Sequence, residues 1–136
     1  MKQSDESIIK QCLEGDGNAF SLLVEKYQNA VYGLCYHTVG NFADAQDLTQ
    51  ETFVKAYLEL AQIRDYSKFA RWLYRITVNV CKMWLRAKKD IDDLPLDAIS
   101  HDEEIFLSSA NLLQEGAEAE ELHLSIKKAI NSLSER

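Results

Sequence analysis

The stretch that decides the fold is Arg64–Lys89, RDYSKFARWLYRITVNVCKMWLRAKK. Neither Gly nor Pro interrupts the run from Ser67 to Lys89, and Ser67 is a good N-cap residue. A helix is therefore expected from Ser67 onward, after a short lead-in. At about 100° per residue, Arg71, Arg75, Lys82, Arg86 and Lys89 fall within about 60° of one another. They form one basic stripe along the helix. Trp72, Leu73, Ile76, Val80, Met83 and Trp84 cluster on the far side, and Tyr74, Val78, Cys81 and Leu85 make a second apolar strip. A helix apolar on two sides is wedged among other helices, which leaves only the narrow basic face to water.

Charge singles out the same stretch. Residues 64–89 hold eight basic residues against one acid, a local charge of +7 in a chain of net charge −7. Residues 1–63 carry −5 and residues 90–136 carry −9. Positive charge gathered on one element is the footprint of a phosphate-binding surface. Charge alone fits a solvated face equally well. Tyr66, Phe69 and Trp72 beside the basic residues favour nucleic acid, because unstacked bases need aromatic faces.

Working outward, the 136-residue length predicts one domain with an extension. One proline and five glycines leave little room for a turn-rich β fold. Met1–Lys10 has no apolar leader core and no stretch of about 18 apolar residues occurs, so a cytoplasmic protein without membrane insertion is expected. Cys12, Cys35 and Cys81 are far apart and form no CxxC pair, so reduced thiols are expected, at least two of them in helix cores. His37, His101 and His123 lack metal-ligand spacing, and no nucleophile elbow or phosphate loop is present. No catalysis, cofactor or metal is expected.

Three further helices are predicted before the central one. The first runs from about Ser4 to Glu14, capped by Ser4, with Ile8, Ile9, Cys12 and Leu13 as its apolar face. The second runs from about Asn18 to Val39, with Phe20, Leu23, Val24, Tyr27, Val31, Leu34 and Cys35 facing inward. Gly33 is expected at a close helix crossing, and Gly40 at the C-terminal stop. The third starts at the cap candidate Asn41 and runs to about Ala61, with Ala45, Leu48, Thr52, Phe53, Ala56 and Leu60 inward. A second stripe on it, Asp47, Gln50, Glu51, Val54 and Leu58, mixes acids, amide and aliphatics. Such a stripe suits docking on a basic partner helix, though periodicity alone fits an ordinary exposed face. Residues 90–116 read as an acidic, weakly ordered linker around Pro95, and Leu122, Ile126, Ile130 and Leu133 give a terminal amphipathic helix over 117–136.

The residues now match a known pattern. DAQDLTQETFVKAY (Asp44–Tyr57) resembles the core-binding segment of the extracytoplasmic-function group of bacterial RNA polymerase sigma factors. KFARWLYRITVN (Lys68–Asn79) resembles that family's promoter-melting segment, and EGDGNAFSLLVEKY (Glu14–Tyr27) its first conserved segment. The likeness covers about residues 5–89, in order and at the family's spacing. It implies an all-α, four-helix region 2 bundle over 1–89, a linker over 90–116, and over 117–136 the truncated first helix of region 4, which SIKKAINSLSER (Ser125–Arg136) resembles. A fragment of a longer protein is expected on this ground.

The resemblance also implies roles. Asp44, Asp47, Gln50, Glu51 and Val54 would dock on the clamp helices of the largest subunit of core RNA polymerase. The non-template strand of promoter DNA would meet Arg64, Tyr66, Lys68, Phe69, Arg71, Arg75, Asn79, Lys82, Arg86 and Lys89, with one base flipped toward the loop Arg64–Lys68. An anti-sigma factor masking these surfaces is the further partner implied. Two departures put the promoter preference in question: Val78 where the family often has Arg, and Met83 where it often has Asp. The alternative within the same class is a truncated regulator that binds polymerase or an anti-sigma factor without starting transcription. A helical enzyme or ligand-binding bundle would need a pocket of convergent titratable groups, which the sequence does not offer.

Overall fold

A computed structural model of the chain describes residues 3–89, 103–109, 126 and 128–130. The described residues form an all-α fold, as expected. Its helices are α1 (Asp5–Leu13), α2 (Phe20–Val39), α3 (Phe42–Glu59), α4 (Phe69–Lys89) and α5 (Glu103–Ser109). Short 3-10 turns at Gly17–Ala19, Leu60–Gln62 and Tyr66–Lys68 lie between them.

The helix ends follow local chemistry. Ser4 caps α1 by accepting from the Ser7 N–H at 3.2 Å, with Asp5 and Glu6 in the first turn, at the positive end of the helix dipole. Gly40 stops α2 at φ 77°, in the left-handed region that glycine enters without a Cβ clash. Asn41 opens α3 with a reciprocal cap. Its Oδ1 accepts from the Asp44 N–H at 2.9 Å, and its Nδ2 donates to Asp44 Oδ2 at 2.7 Å. The entry to α4 differs from expectation. Asp65, not Ser67, is the cap, and its Oδ1 accepts from the Ser67 N–H at 3.0 Å and the Ser67 hydroxyl at 2.6 Å. The intervening 3-10 turn moves the first free N–H groups two residues upstream.

Ring contacts give the packing directions. Phe20 meets Tyr57 at 5.3 Å and Tyr32 meets Phe42 at 5.5 Å, so α2 and α3 form an antiparallel hairpin. Tyr27 meets Phe69 at 5.4 Å and Cys81 Sγ lies 3.9 Å from Cys35 Sγ, so α4 runs alongside α2 in the same direction. Gly17 permits the close approach of Tyr57, whose hydroxyl would stand 2.9 Å from an added Cβ. Gly33 does not mark a close crossing, since no atom lies within 4 Å of the place its Cβ would take. The Asp5 carboxylate pins α1 to α2 by accepting from Lys26 at 2.9 Å and from the Tyr27 hydroxyl. Burial first, and that bond second, hold the Tyr27 hydroxyl well above its ordinary pKa.

The core gathers Phe20, Leu23, Leu34, Phe53, Phe69 and Leu73, all fully buried. Burying one such side chain is worth about 1.5–3 kcal/mol. Thr49, Thr52 and Thr77 are buried too, and each hydroxyl donates to the carbonyl four residues back at 2.7–2.8 Å. That bond removes the penalty of an unpaired polar group. Cys35 and Cys81 lie wholly inside and Cys12 is half-buried. Two apolar assignments fail. Leu13, at the last turn of α1, is 40% exposed, and Met83 on α4 is 61% exposed.

Weak order was expected across 90–116, yet α5 forms there. Phe106 is fully buried with its ring edge-on to Tyr74 at 5.3 Å, and α5 packs against α2 and α4. Of the acids expected to solvate the segment, Glu104 is exposed and Glu103 partly so, with Ile105 exposed beside them. Ile126 and Ile130 are buried as well. The rest of 90–116 and of 117–136 lies outside the described residues.

Candidate nucleic-acid interface

α4 carries the basic stripe to the surface. Arg71 and Arg75 are exposed, and Lys82 and Arg86 are half-exposed. The Lys89 side chain lies outside the described part. Arg71 Nε is 3.6 Å from Glu103 Oε1, and both groups are largely wet, so this pair holds Arg71 only weakly. Arg86 Nε is buried with no hydrogen-bond partner among the described residues. The loop ahead of α4 adds exposed Arg64 and Lys68 and half-buried Tyr66. Asp65 lies between them, and its bonds to the Ser67 hydroxyl and N–H hold its carboxyl below the usual range. It therefore remains an ionised cap that fixes the loop.

Phe69 does not face outward. It is fully buried between Tyr27 and Trp72, at centroid distances of 5.4 and 5.7 Å. It supports the loop from beneath and is removed from the surface set. Trp72 is half-buried, and Asn79 is exposed on the same side of α4.

Sequence reading missed the other wall. Lys55 and Glu59 of α3 and Gln62 just after it face Trp72, Arg75, Ile76 and Asn79 across a groove of about 230 Å³. The spacing of 55, 59 and 62 is a helical i, i+4, i+7 row, and that signal was available in the sequence. Among the described residues, no side-chain hydrogen bond or ion pair engages Lys55, Glu59, Gln62, Arg75 or Asn79.

The second candidate surface lies elsewhere on α3. Asp47 and Glu51 are exposed, Gln50 and Val54 half-buried, and Leu58 is 61% exposed. Asp44 lies at its head, engaged by the Asn41 cap. Among the described residues, no group of His, Cys, Asp and Glu could hold a metal, and no helix is long and apolar enough to cross a membrane.

The described residues thus form an all-α bundle with a row of basic side chains, Arg71, Arg75, Lys82 and Arg86, along α4. The family model described as sigma-70 region 2 matches residues 23–91. The ECF RNA polymerase sigma-E factor of Haemophilus influenzae is 35% identical, over 97% of this chain and 71% of that protein. The ECF RNA polymerase sigma factor SigW of Bacillus subtilis is 41% identical, over 66% of this chain and 47% of its own. The RNA polymerase sigma-H factor of Pseudomonas aeruginosa is 41% identical, over 64% of this chain and 45% of its own. The aligned part thus spans about half the length of the latter two relatives. The chain belongs to the sigma-70 region 2 family, in its extracytoplasmic-function group.

Proposed function

We propose that this chain binds core RNA polymerase and promoter DNA and directs transcription initiation, with no chemistry of its own. The observation that carries the reading is the α4 face: exposed Arg71 and Arg75 with Lys82 and Arg86, in a chain of net charge −7. An acidic protein that keeps one cationic helix face open has a surface suited to phosphates, which position a duplex without reading it. Tyr66, with Arg64 and Lys68 beside it, would hold an unpaired base of the non-template strand. Asp47, Gln50, Glu51 and Val54 would dock on the basic clamp helices of the polymerase, with Asp44 at the edge of that contact. Residues 1–89 are then the region 2 domain, 90–116 the linker and 117–136 the beginning of region 4. An anti-sigma factor covering both faces is the further partner implied.

The test is run-off transcription with core polymerase and this chain, with start sites mapped. Defined start sites that vanish without the chain are expected. The double variant Asp47→Lys, Glu51→Lys should weaken core binding by about 1–3 kcal/mol with helical circular dichroism unchanged, since both residues are exposed. Core binding that survives the double reversal would rule out this docking face. A chain that joins core polymerase and opens no promoter would favour the regulator reading.

A further inference from the structure

We infer that Cys35 and Cys81 are an oxidation site: a hydroperoxide converts this pair of thiols to a disulfide that ties α2 to α4. The inference is independent of the proposed promoter binding. The two residues lie 46 positions apart, on different helices, and both are fully buried. Their sulfurs stand 3.9 Å apart. A disulfide holds its sulfurs at about 2.05 Å, so an approach of roughly 1.9 Å closes the bond.

A single buried cysteine behaves as a small apolar side chain and is inert. Here two meet, and their surroundings are polar. The Thr38 hydroxyl lies beside Cys81 and the Thr49 hydroxyl beside Cys35, so α2, α3 and α4 all contribute to the cluster. The contact with Cys35 holds the Cys81 thiol below its ordinary pKa, against burial and the charge of Glu51. The same contact, followed by burial, raises Cys35. Cys81 therefore gives up its proton first, and the thiolate is the nucleophile. It attacks one oxygen of the hydroperoxide. The O–O bond breaks, and the leaving oxygen takes the proton that Cys81 released, which leaves a sulfenic acid on Cys81. The Cys35 sulfur then attacks the Cys81 sulfur. The S–S bond forms, the S–O bond breaks, and the departing hydroxide takes the Cys35 proton as water. With hydrogen peroxide, two thiols become one disulfide and two waters; the sulfurs lose two electrons and the peroxide oxygens gain them. Hydrogen peroxide has two heavy atoms and needs only a small local opening, whereas iodoacetamide is larger and reaches these thiols only on unfolding. Cys12, on α1, stays outside the pair. Cys81 directly precedes Lys82 of the basic row, so the bond would anchor that part of α4 to α2.

The test treats the reduced full chain with hydrogen peroxide and removes the peroxide with catalase. The chain is then unfolded in guanidinium with iodoacetamide, and adducts are counted by mass spectrometry. The reduced chain should carry three adducts and the oxidised chain one, on Cys12. Trypsin should release residues 27–55 joined to residues 76–82, and dithiothreitol should separate them. Met83, 61% exposed, is the internal control, because its sulfoxide shows that peroxide has acted. Amide exchange over residues 78–85 should slow at least about tenfold in the oxidised chain, with helical circular dichroism retained, since the cross-link removes openings that part α4 from α2. Cys12→Ala should form the same link, its adducts falling from two to none. Three adducts on a chain whose Met83 is fully oxidised would overturn the inference. So would over-oxidation of Cys81 with Cys35 still labelled, or a link from Cys12 to either partner. A link that appears only as the helical signal is lost would overturn it too, because the pair would then meet only in the unfolded chain.

Discussion

Asn41 and Asp44 exchange two hydrogen bonds at the start of α3, and the pair is exposed, so its worth is local. Asn41→Ala should lower stability by about 1 kcal/mol in urea unfolding, and Asn41→Gly by only a few tenths. Equal losses would mean that side-chain capping is not what Asn41 contributes. Cys12 makes a second residue-scale case. It is half-buried, and burial, followed by the charge of Asp16, pushes its thiol up to about 11. Only the thiolate is nucleophilic, so at pH 8 about one molecule in a thousand is reactive. Iodoacetamide labelling of Cys12 should rise about tenfold per pH unit from 8 to 10, read by mass spectrometry. A plateau near pH 9 would show an open, ordinary thiol. Cys35 and Cys81, both fully buried, should label only on unfolding.

Among the elements, α5 is seated by one residue. Phe106 is buried against Tyr74, while Ile105 is 53% exposed and the Glu103–Arg71 contact is wet. Removing a buried phenyl costs about 3–5 kcal/mol where the whole fold depends on it. A seven-residue helix on the outside of a bundle opens more cheaply by detaching than by unfolding its support. Phe106→Ala should therefore abolish amide-exchange protection over 103–109 while α3 and α4 keep theirs. A global fall in the unfolding midpoint, with protection lost everywhere, would instead make α5 part of one cooperative unit with the bundle. α4 shows the opposite economy. Its inward residues Leu73, Val78 and Cys81 are held by α2 and α3, which leaves Arg75 and Asn79 free to face outward.

For the whole molecule, the separation of charge sets the expected behaviour on DNA. Losing a phosphate contact weakens binding at every sequence, whereas losing a contact to an unpaired base impairs opening. Arg75→Ala and Lys82→Ala should each reduce the salt slope of promoter binding by about one phosphate, with sequence preference unchanged. Tyr66→Ala should spare closed-complex binding and impair opening, seen as lost permanganate reactivity that a pre-melted bubble restores. If the arginine, lysine and tyrosine variants all match the wild type on duplex and bubble, the basic face is only solvated.

Much of the bundle was legible without coordinates. The inward rows of α2 and α3, from Phe20 to Cys35 and from Ala45 to Leu60, follow from a 3.6-residue period, because burial of one face is a property of a single helix. Ser4, Gly40 and Asn41 were legible for the same reason, as caps use atoms within a few residues. The family pattern was carried by contiguous runs, which need no tertiary information. What the sequence could not determine depends on how helices meet. Phe69 reads as an aromatic beside basic residues, but Tyr27, far upstream in the chain, covers it. Met83 reads as core, but among the described residues no helix covers it, and it stays wet. Glu59 and Asn79 lie twenty residues apart, and only the α3–α4 crossing brings them to one groove. Periodicity describes a helix alone; the crossing, set by ridges packing into grooves, decides which faces become interior and which remain open.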